Sequence, residues 1–200
     1  MLKTNKLVSL GVLSVIGLGL AVAPTVSADT TNTTTFGYTA GQAGGGDDSD
    51  WVLDMPVQIN LSDKNTGNVE QNGAALKFSL YNAYDNGGNT KAQYTGSKTV
   101  TVKLGAVASG KISGGSVIMD KGTNKGNGQV LLSLINGSNN AVAPKANADS
   151  DNAIATLSSK TTSETGKAGI TKSGTLAKGD TFNSTLSWTI SQADAPSTGK

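Results

Sequence analysis

The stretch Thr181-Phe182-Asn183-Ser184-Thr185-Leu186-Ser187-Trp188-Thr189-Ile190 puts Phe182, Ser184, Leu186, Trp188 and Ile190 on one side of an extended backbone and the intervening threonines, asparagine and serine on the other. Side chains alternate across a β-strand with period two, so this pattern predicts a strand that buries one face and hydrates the other. The same alternation recurs upstream. Val57, Ile59 and Leu61 are separated by Gln58 and Asn60, Leu76, Phe78 and Leu80 by Lys77 and Ser79, and Val100, Val102 and Leu104 by Thr101 and Lys103. Turn-forming clusters such as Asp63-Lys64-Asn65 and Asn86-Gly87-Gly88-Asn89 bound these runs. Shorter candidate strands are Ser116 to Met119, Val130 to Ile135, Ala153 to Leu157 and Ile170 to Leu176.

No long stretch recurs at three and four residues between helix caps, and β-branched threonine and valine are plentiful. The pattern predicts an all-β domain, an antiparallel β-sandwich of about eight strands with threonine- and lysine-bearing outer faces. With aromatics at only 4% of the chain, Trp51 and Trp188 are expected to supply a large share of the core. The polar segments 141–151 and 158–169 read as long loops, and Gly122 to Gly128 reads as a hairpin turn, since no strand-to-helix context makes it a phosphate cradle.

The N-terminus has a different texture. Lys3 and Lys6 precede an uncharged apolar run from Leu7 to Ala23, followed by Pro24 and the small-residue run Val26-Ser27-Ala28. This is the order of an export signal cleaved after Ala28, with Asp29 the first mature residue. The run is shorter than the ~20 residues a membrane-spanning helix needs, and no basic flank follows it. The expected organisation is therefore a signal peptide at 1–28, a flexible arm at 29–50, the β-sandwich at 51–191 and a tail at 192–200, with no membrane span in the mature protein. The arm combines a threonine-rich run with Gly44-Gly45-Gly46 and several acids, too little apolar surface to offset its ordering entropy.

Charge and composition exclude several function classes. Two of the 16 basic residues lie in the leader, which leaves 14 against 14 acids, and all are lysine. Dispersed lysines in a neutral domain do not make the basic surface that nucleic acid requires, so no nucleic-acid partner is expected. The absence of arginine removes the bidentate fork for phosphate. The absence of histidine and cysteine removes Ser-His-Asp and Cys-His nucleophiles and the usual zinc ligands, and no cofactor is expected.

Asp47, Asp48 and Asp50, with Asp54 beyond them, offer oxygen ligands for calcium but lack the order of an EF-hand loop, and a solvated arm is the simpler reading. Asp120, Asp149 and Asp151 are loop acids with the same ambiguity. Glu70 and Glu164 are the only glutamates available to a paired-carboxylate hydrolase, and nothing in the sequence ties either to a cleft. Lysines and Asn183 are the ingredients of an intramolecular isopeptide cross-link, without evidence of the geometry.

The segment from Gly174 through Thr181-Phe182 to Leu186-Ser187-Trp188-Thr189-Ile190, with Ala195-Pro196 shortly after, resembles the closing segment of WxL-domain proteins, and Trp51-Val52-Leu53 also reads as W-x-L. Ile190 stands where the family has leucine, and Trp51 lies near the start of the domain rather than inside its C-terminal part. The resemblance covers roughly the residues from Gly174 to Ile190. It implies an exported Gram-positive surface protein attached non-covalently to the cell wall, with peptidoglycan or another wall polymer and other surface proteins as partners. It also implies Trp51, Leu53, Trp188 and Ile190 as binding residues. The tail Pro196-Ser197-Thr198-Gly199-Lys200 resembles part of a sortase motif but lacks the preceding leucine and a following anchor.

The sequence thus points to a non-catalytic wall or surface-partner adhesin. The rival expectation is a fibre subunit assembled by strand addition, with 29–50 as the donated strand. A hydrolase is a third.

Overall fold

A computed structural model describes residues 26–27, 51–56, 59–82, 92–122 and 126–194. The cluster Asp47, Asp48 and Asp50, the Asn86 to Asn89 turn and Ala195-Pro196 lie outside the described residues. In chain order the strands are β1 (Val26–Ser27), β2 (Trp51–Asp54), β3 (Ala74–Asn82), β4 (Lys98–Leu104), β5 (Ile112–Ser113), β6 (Ser116–Ile118), β7 (Asp120–Lys121), β8 (Gln129–Ile135), β9 (Ala153–Leu157), β10 (Ser163–Ser173), β11 (Thr181–Asn183) and β12 (Trp188–Asp194). A single helical turn, α1 (Val69–Asn72), and two 3-10 turns complete the described elements. Strands thus outnumber the eight read from the sequence, because very short strands such as β5 and β7 carry no period of their own.

Every ladder is antiparallel. A six-stranded sheet runs β2-β3-β10-β8-β6-β5, a three-stranded sheet runs β12-β4-β9, and β1-β11-β7 form a third. The fold is an all-β sandwich, as the alternation predicts. Leu76, Phe78 and Leu80 on β3, Val100, Val102 and Leu104 on β4, and Val130 and Leu132 on β8 are buried in one hydrophobic core that also takes Phe182 from β11. Burying each such side chain contributes roughly 1.5–3 kcal/mol, which is why these runs are strands with one dry face.

The face of the six-stranded sheet is crossed by β9. The two-residue turn between Ser158 and Thr161, closed by reciprocal backbone hydrogen bonds of 3.0 and 3.1 Å, sends the chain from β9 in one sheet to β10 in the other. At this corner Ile154 of β9 lies against Gly166 of β10, where an added Cβ would sit 2.7 Å from Ile154 Cδ1 and 2.7 Å from the carbonyl of Ile135. Only glycine admits this approach. On the opposite face of β10, α1 rests on Gly169, where a Cβ would meet Val69 Cγ2 at 2.9 Å. The helical turn is capped by Asn68, whose side chain accepts from the Glu70 amide, and Lys167 Nζ donates to the Glu70 carbonyl.

Three expectations are corrected. The segment 158–169 is not a loop throughout, since the eleven-residue strand β10 starts at Ser163 inside it. Its inward residues within that segment are Gly166 and Ala168, kept small because β9 crosses close above, so this part of the strand lacks the large apolar period that marks a strand in sequence. The run Val57 to Leu61 is not a strand over its described part, residues 59–61. Leu61 is fully buried, but β2 and β3 pair directly with each other and leave the intervening chain as a connection. The run 181–190 is split into β11 and β12, which belong to different sheets. The break at 184–187 lets the chain change sheets, with the Gly105 amide donating to the Ser187 carbonyl at 2.8 Å. The second of these strands, β12, runs to Asp194. The segment 141–151 is irregular, as expected.

The two tryptophans do not share the core as expected. Trp51 is buried, Trp188 is half-buried, and the largest fully buried side chains are Tyr94, Phe78 and Phe182. Among the described residues no helix is long and apolar enough to cross a membrane.

The turn entering β11 is fixed by Asp180, which is fully buried. Its Oδ2 accepts the Ala177 amide at 2.8 Å and its Oδ1 the Gly126 amide at 3.4 Å. Truncation strands these donors in a dry site, where an unmade hydrogen bond costs more than a made one contributes. Asp180→Ala is expected to lower unfolding free energy by about 3 kcal/mol, measured by urea denaturation, and Asp180→Asn by less because it keeps an acceptor.

Candidate functional site

The residues singled out by sequence fall on two edge strands. Trp51 and Leu53 lie on β2, the edge of the six-stranded sheet, and Trp188 and Ile190 lie on β12, the edge of the three-stranded sheet. The fold brings these edges together. Trp51 Nε1 donates to Gln192 Oε1 on β12 at 2.7 Å, across 141 positions of sequence. Trp188 packs edge-on against Phe78 of β3, with ring centroids 5.8 Å apart and an interplanar angle of 83°, the T-shaped geometry that aromatic quadrupoles favour. Trp51 with Gln192 and Trp188 with Phe78 thus clasp the two sheets together, with Leu53 and Ile190 beside them on the same strands.

Their exposure divides them. Trp51 and Leu53 retain 5% and 2% of their surface, so their contact is with the core and the indole N–H is spent on Gln192. Trp188 and Ile190 are half-buried and pack against the same core. These two are the members a partner can touch.

The outer face of the three-stranded sheet follows from its register. Thr189 stands opposite Lys103 and Ser191 opposite Thr101, while Thr101 also faces Thr156 of β9. The residues between them, Val100, Val102 and Leu104, point into the core. The solvent side of this sheet is thus a surface of hydroxyls with Lys103 among them. Thr189 Oγ1 donates to Asp149 Oδ1 at 2.8 Å.

A second feature sits at the β9–β10 corner, where a groove of about 660 Å³ is lined by Asn136, Ser138, Thr156, Thr161, Glu164 and Thr165 together with neighbouring small residues. Glu164 occupies its middle and is half-buried. One carboxylate oxygen, Oε2, accepts the Thr156 amide of β9 at 2.6 Å. The other has no partner among the described residues. Asn136 donates from Nδ2 to the Ala153 carbonyl at 3.2 Å and accepts the amides of Ser138 and Asn140, each at 3.0 Å. These side chains satisfy backbone groups along the outer edge of β9, which would otherwise present unpaired N–H and C=O groups.

Sequence reasoning left Glu164 without a cleft, and the fold supplies one. No spacing could have found it, because the lining comes from three separate stretches around 136, 156 and 164. The groove lining contains a single acid, whereas a glycosidase places two carboxylates roughly 5–9.5 Å apart about the scissile bond.

The remaining candidates fall as follows. Asp120 pairs with Lys111 and Asp151 with Lys145, all at the surface, and among the described residues no three acids come together as a metal-binding group. Asn183 stands opposite Asp120 in the β11–β7 ladder. Asn183 thus has an acid opposite it, but the acid keeps 54% of its side-chain surface exposed rather than being buried as that chemistry requires. Compared with protein-family models, with curated proteins and with solved structures, the chain finds no match.

The clasp makes a direct prediction. Trp51→Phe removes the N–H while keeping most of the apolar surface, and is expected to cost about 1 kcal/mol. Trp51→Ala should cost about 3–5 kcal/mol. Urea unfolding curves compared at equal slope separate the two.

Proposed function

We propose that the protein is an exported, non-catalytic surface protein that associates non-covalently with the cell wall or with a surface partner. The observation that carries this reading is the hydroxyl-rich outer face of the β12-β4-β9 sheet. Thr101, Thr156, Thr189 and Ser191 present donors and acceptors side by side around a single lysine. Such a face suits hydrogen bonding to a neutral or mixed-charge polymer such as peptidoglycan, and it does not suit ionic capture. Many weak contacts on a rigid sheet add up without any one of them being strong, provided the polymer engages several at once.

Two further points support the reading. The Lys3 to Ala28 leader has the order of an export signal, and its removal leaves a domain of zero formal charge. The resemblance to WxL-domain proteins falls on β12, whose Trp188 and Ile190 are the half-buried members of the clasp.

The strand-addition reading has one observation in its favour. The backbone of β1, Val26–Ser27, pairs antiparallel with Phe182 and Thr181 on one edge of β11. This is the expected leader, so cleavage after Ala28 leaves that edge with no β1 and open to another extended segment.

Wall association is tested by sedimenting the mature protein with purified cell walls at low and high salt. The protein is expected in the pellet under both conditions, because contacts between neutral groups escape the screening that weakens exposed ion pairs. Recovery in the supernatant under both conditions contradicts the proposal.

A further inference from the structure

We infer that the groove at the β9–β10 corner binds a neutral saccharide unit, whose hydroxyls donate to the open oxygen of Glu164. The inference takes the source of that saccharide, a surface polymer, from the proposed function, while its chemistry stands on the groove alone.

Glu164 is held rather than free to swing, since the Thr156 amide fixes one of its oxygens at 2.6 Å. The remaining oxygen carries unused acceptor capacity, and a carboxylate oxygen can take more than one hydroxyl donor. Around it the hydroxyls of Ser138, Thr156 and Thr161 have no hydrogen-bond partner among the described residues. Each can donate and accept, as each hydroxyl of a pyranose can. The walls are built to stay put. Asn136 spends both ends of its amide on local backbone, and Ser163 Oγ lies 3.2 Å from both Ser79 Oγ and the Phe78 carbonyl. A site whose groups are already oriented loses little conformational entropy when it binds.

The same residues argue against other occupants. Among the described residues no lysine lines the groove, so an anionic ligand meets a carboxylate with no described cation to offset it. An added β-strand needs the Thr156 amide, and Glu164 already holds it. No aromatic ring lines the groove either, so affinity comes from hydrogen bonds without stacking, in the millimolar range or about −4 kcal/mol.

The test uses the purified exported protein and amide-resolved NMR titrations with a tetramer of N-acetylglucosamine, cellotetraose, an anionic oligogalacturonate and lysine amide. The neutral oligosaccharides are expected to shift the amides of Thr156, Glu164 and Thr165, with little response to the anion. Glu164→Gln keeps an acceptor for the Thr156 amide while removing the charge, and is expected to weaken binding about tenfold. Thr161→Val, in the exposed turn before β10, is expected to weaken it several-fold with an unchanged unfolding midpoint. Binding by lysine amide alone, shifts located elsewhere, or undiminished affinity in both variants overturns the inference. Pelleting with walls without any groove shifts also overturns it and leaves surface association standing. Groove shifts without pelleting support the site and remove the wall as its context.

Discussion

The two sheets of this sandwich come into tight contact where Ile154 of β9 meets Gly166 of β10. A Cβ at position 166 would lie 2.7 Å from Ile154 Cδ1, nearer than carbon atoms tolerate. The tight turn between Ser158 and Thr161 turns the chain over at this point, and a strand leaving so short a turn has to lie directly on the strand it crosses. Glycine at 166 is what permits that. From this one approach follow the seating of β9 across the core, the pairing of β4 between β9 and β12, and the arrival of β12 beside β2.

The groove is a consequence of the same contact. Glu164 sits two residues before Gly166 and Thr156 two residues after Ile154, so the hydrogen bond between them spans the corner that the glycine allows. A wider separation of β9 from β10 would pull the carboxylate from the amide and free both. The fold and the candidate binding groove therefore rest on one packing constraint. The clasp of Trp51 with Gln192 acts at the far side, where the outermost strands of the two sheets meet.

This arrangement also explains what could be read from the sequence and what could not. Strands β3, β4 and β8 carry large apolar residues at every second position, and their period is visible because each faces open core. The first part of β10 was hidden, although Ile170 onward read as a strand, because its inward positions there had to be small, and Gly166 and Ala168 look like loop residues in one dimension. The run from Thr181 to Ile190 keeps its alternation through a break, since Ser184 is buried and Leu186 packs on the core even where the backbone leaves the ladder. Periodicity reports which face is dry, and it does not report which sheet a strand joins. Ile59 and Leu61 show the same limit, being apolar and buried to different degrees in a connection outside the named strands. For the site, Trp51 and Trp188 were legible as motifs, but their contacts across the sheets, Trp51 with Gln192 and Trp188 with Phe78, were not. The Glu164 groove was not legible at all, because its side chains come together only through the turn at 158–161.

The most direct test of the account is a double-mutant cycle on the corner, made from Gly166→Ala, Ile154→Ala and the pair, with stability measured by urea unfolding. Gly166→Ala alone forces a methyl into Ile154 and the Ile135 carbonyl, and Ile154→Ala removes the side chain it strikes. The account predicts that Ile154→Ala is less costly in the Gly166→Ala background than in the wild type, by about 1 kcal/mol or more. Additivity within about 0.3 kcal/mol would contradict the close approach on which the rest of the structure is argued to depend.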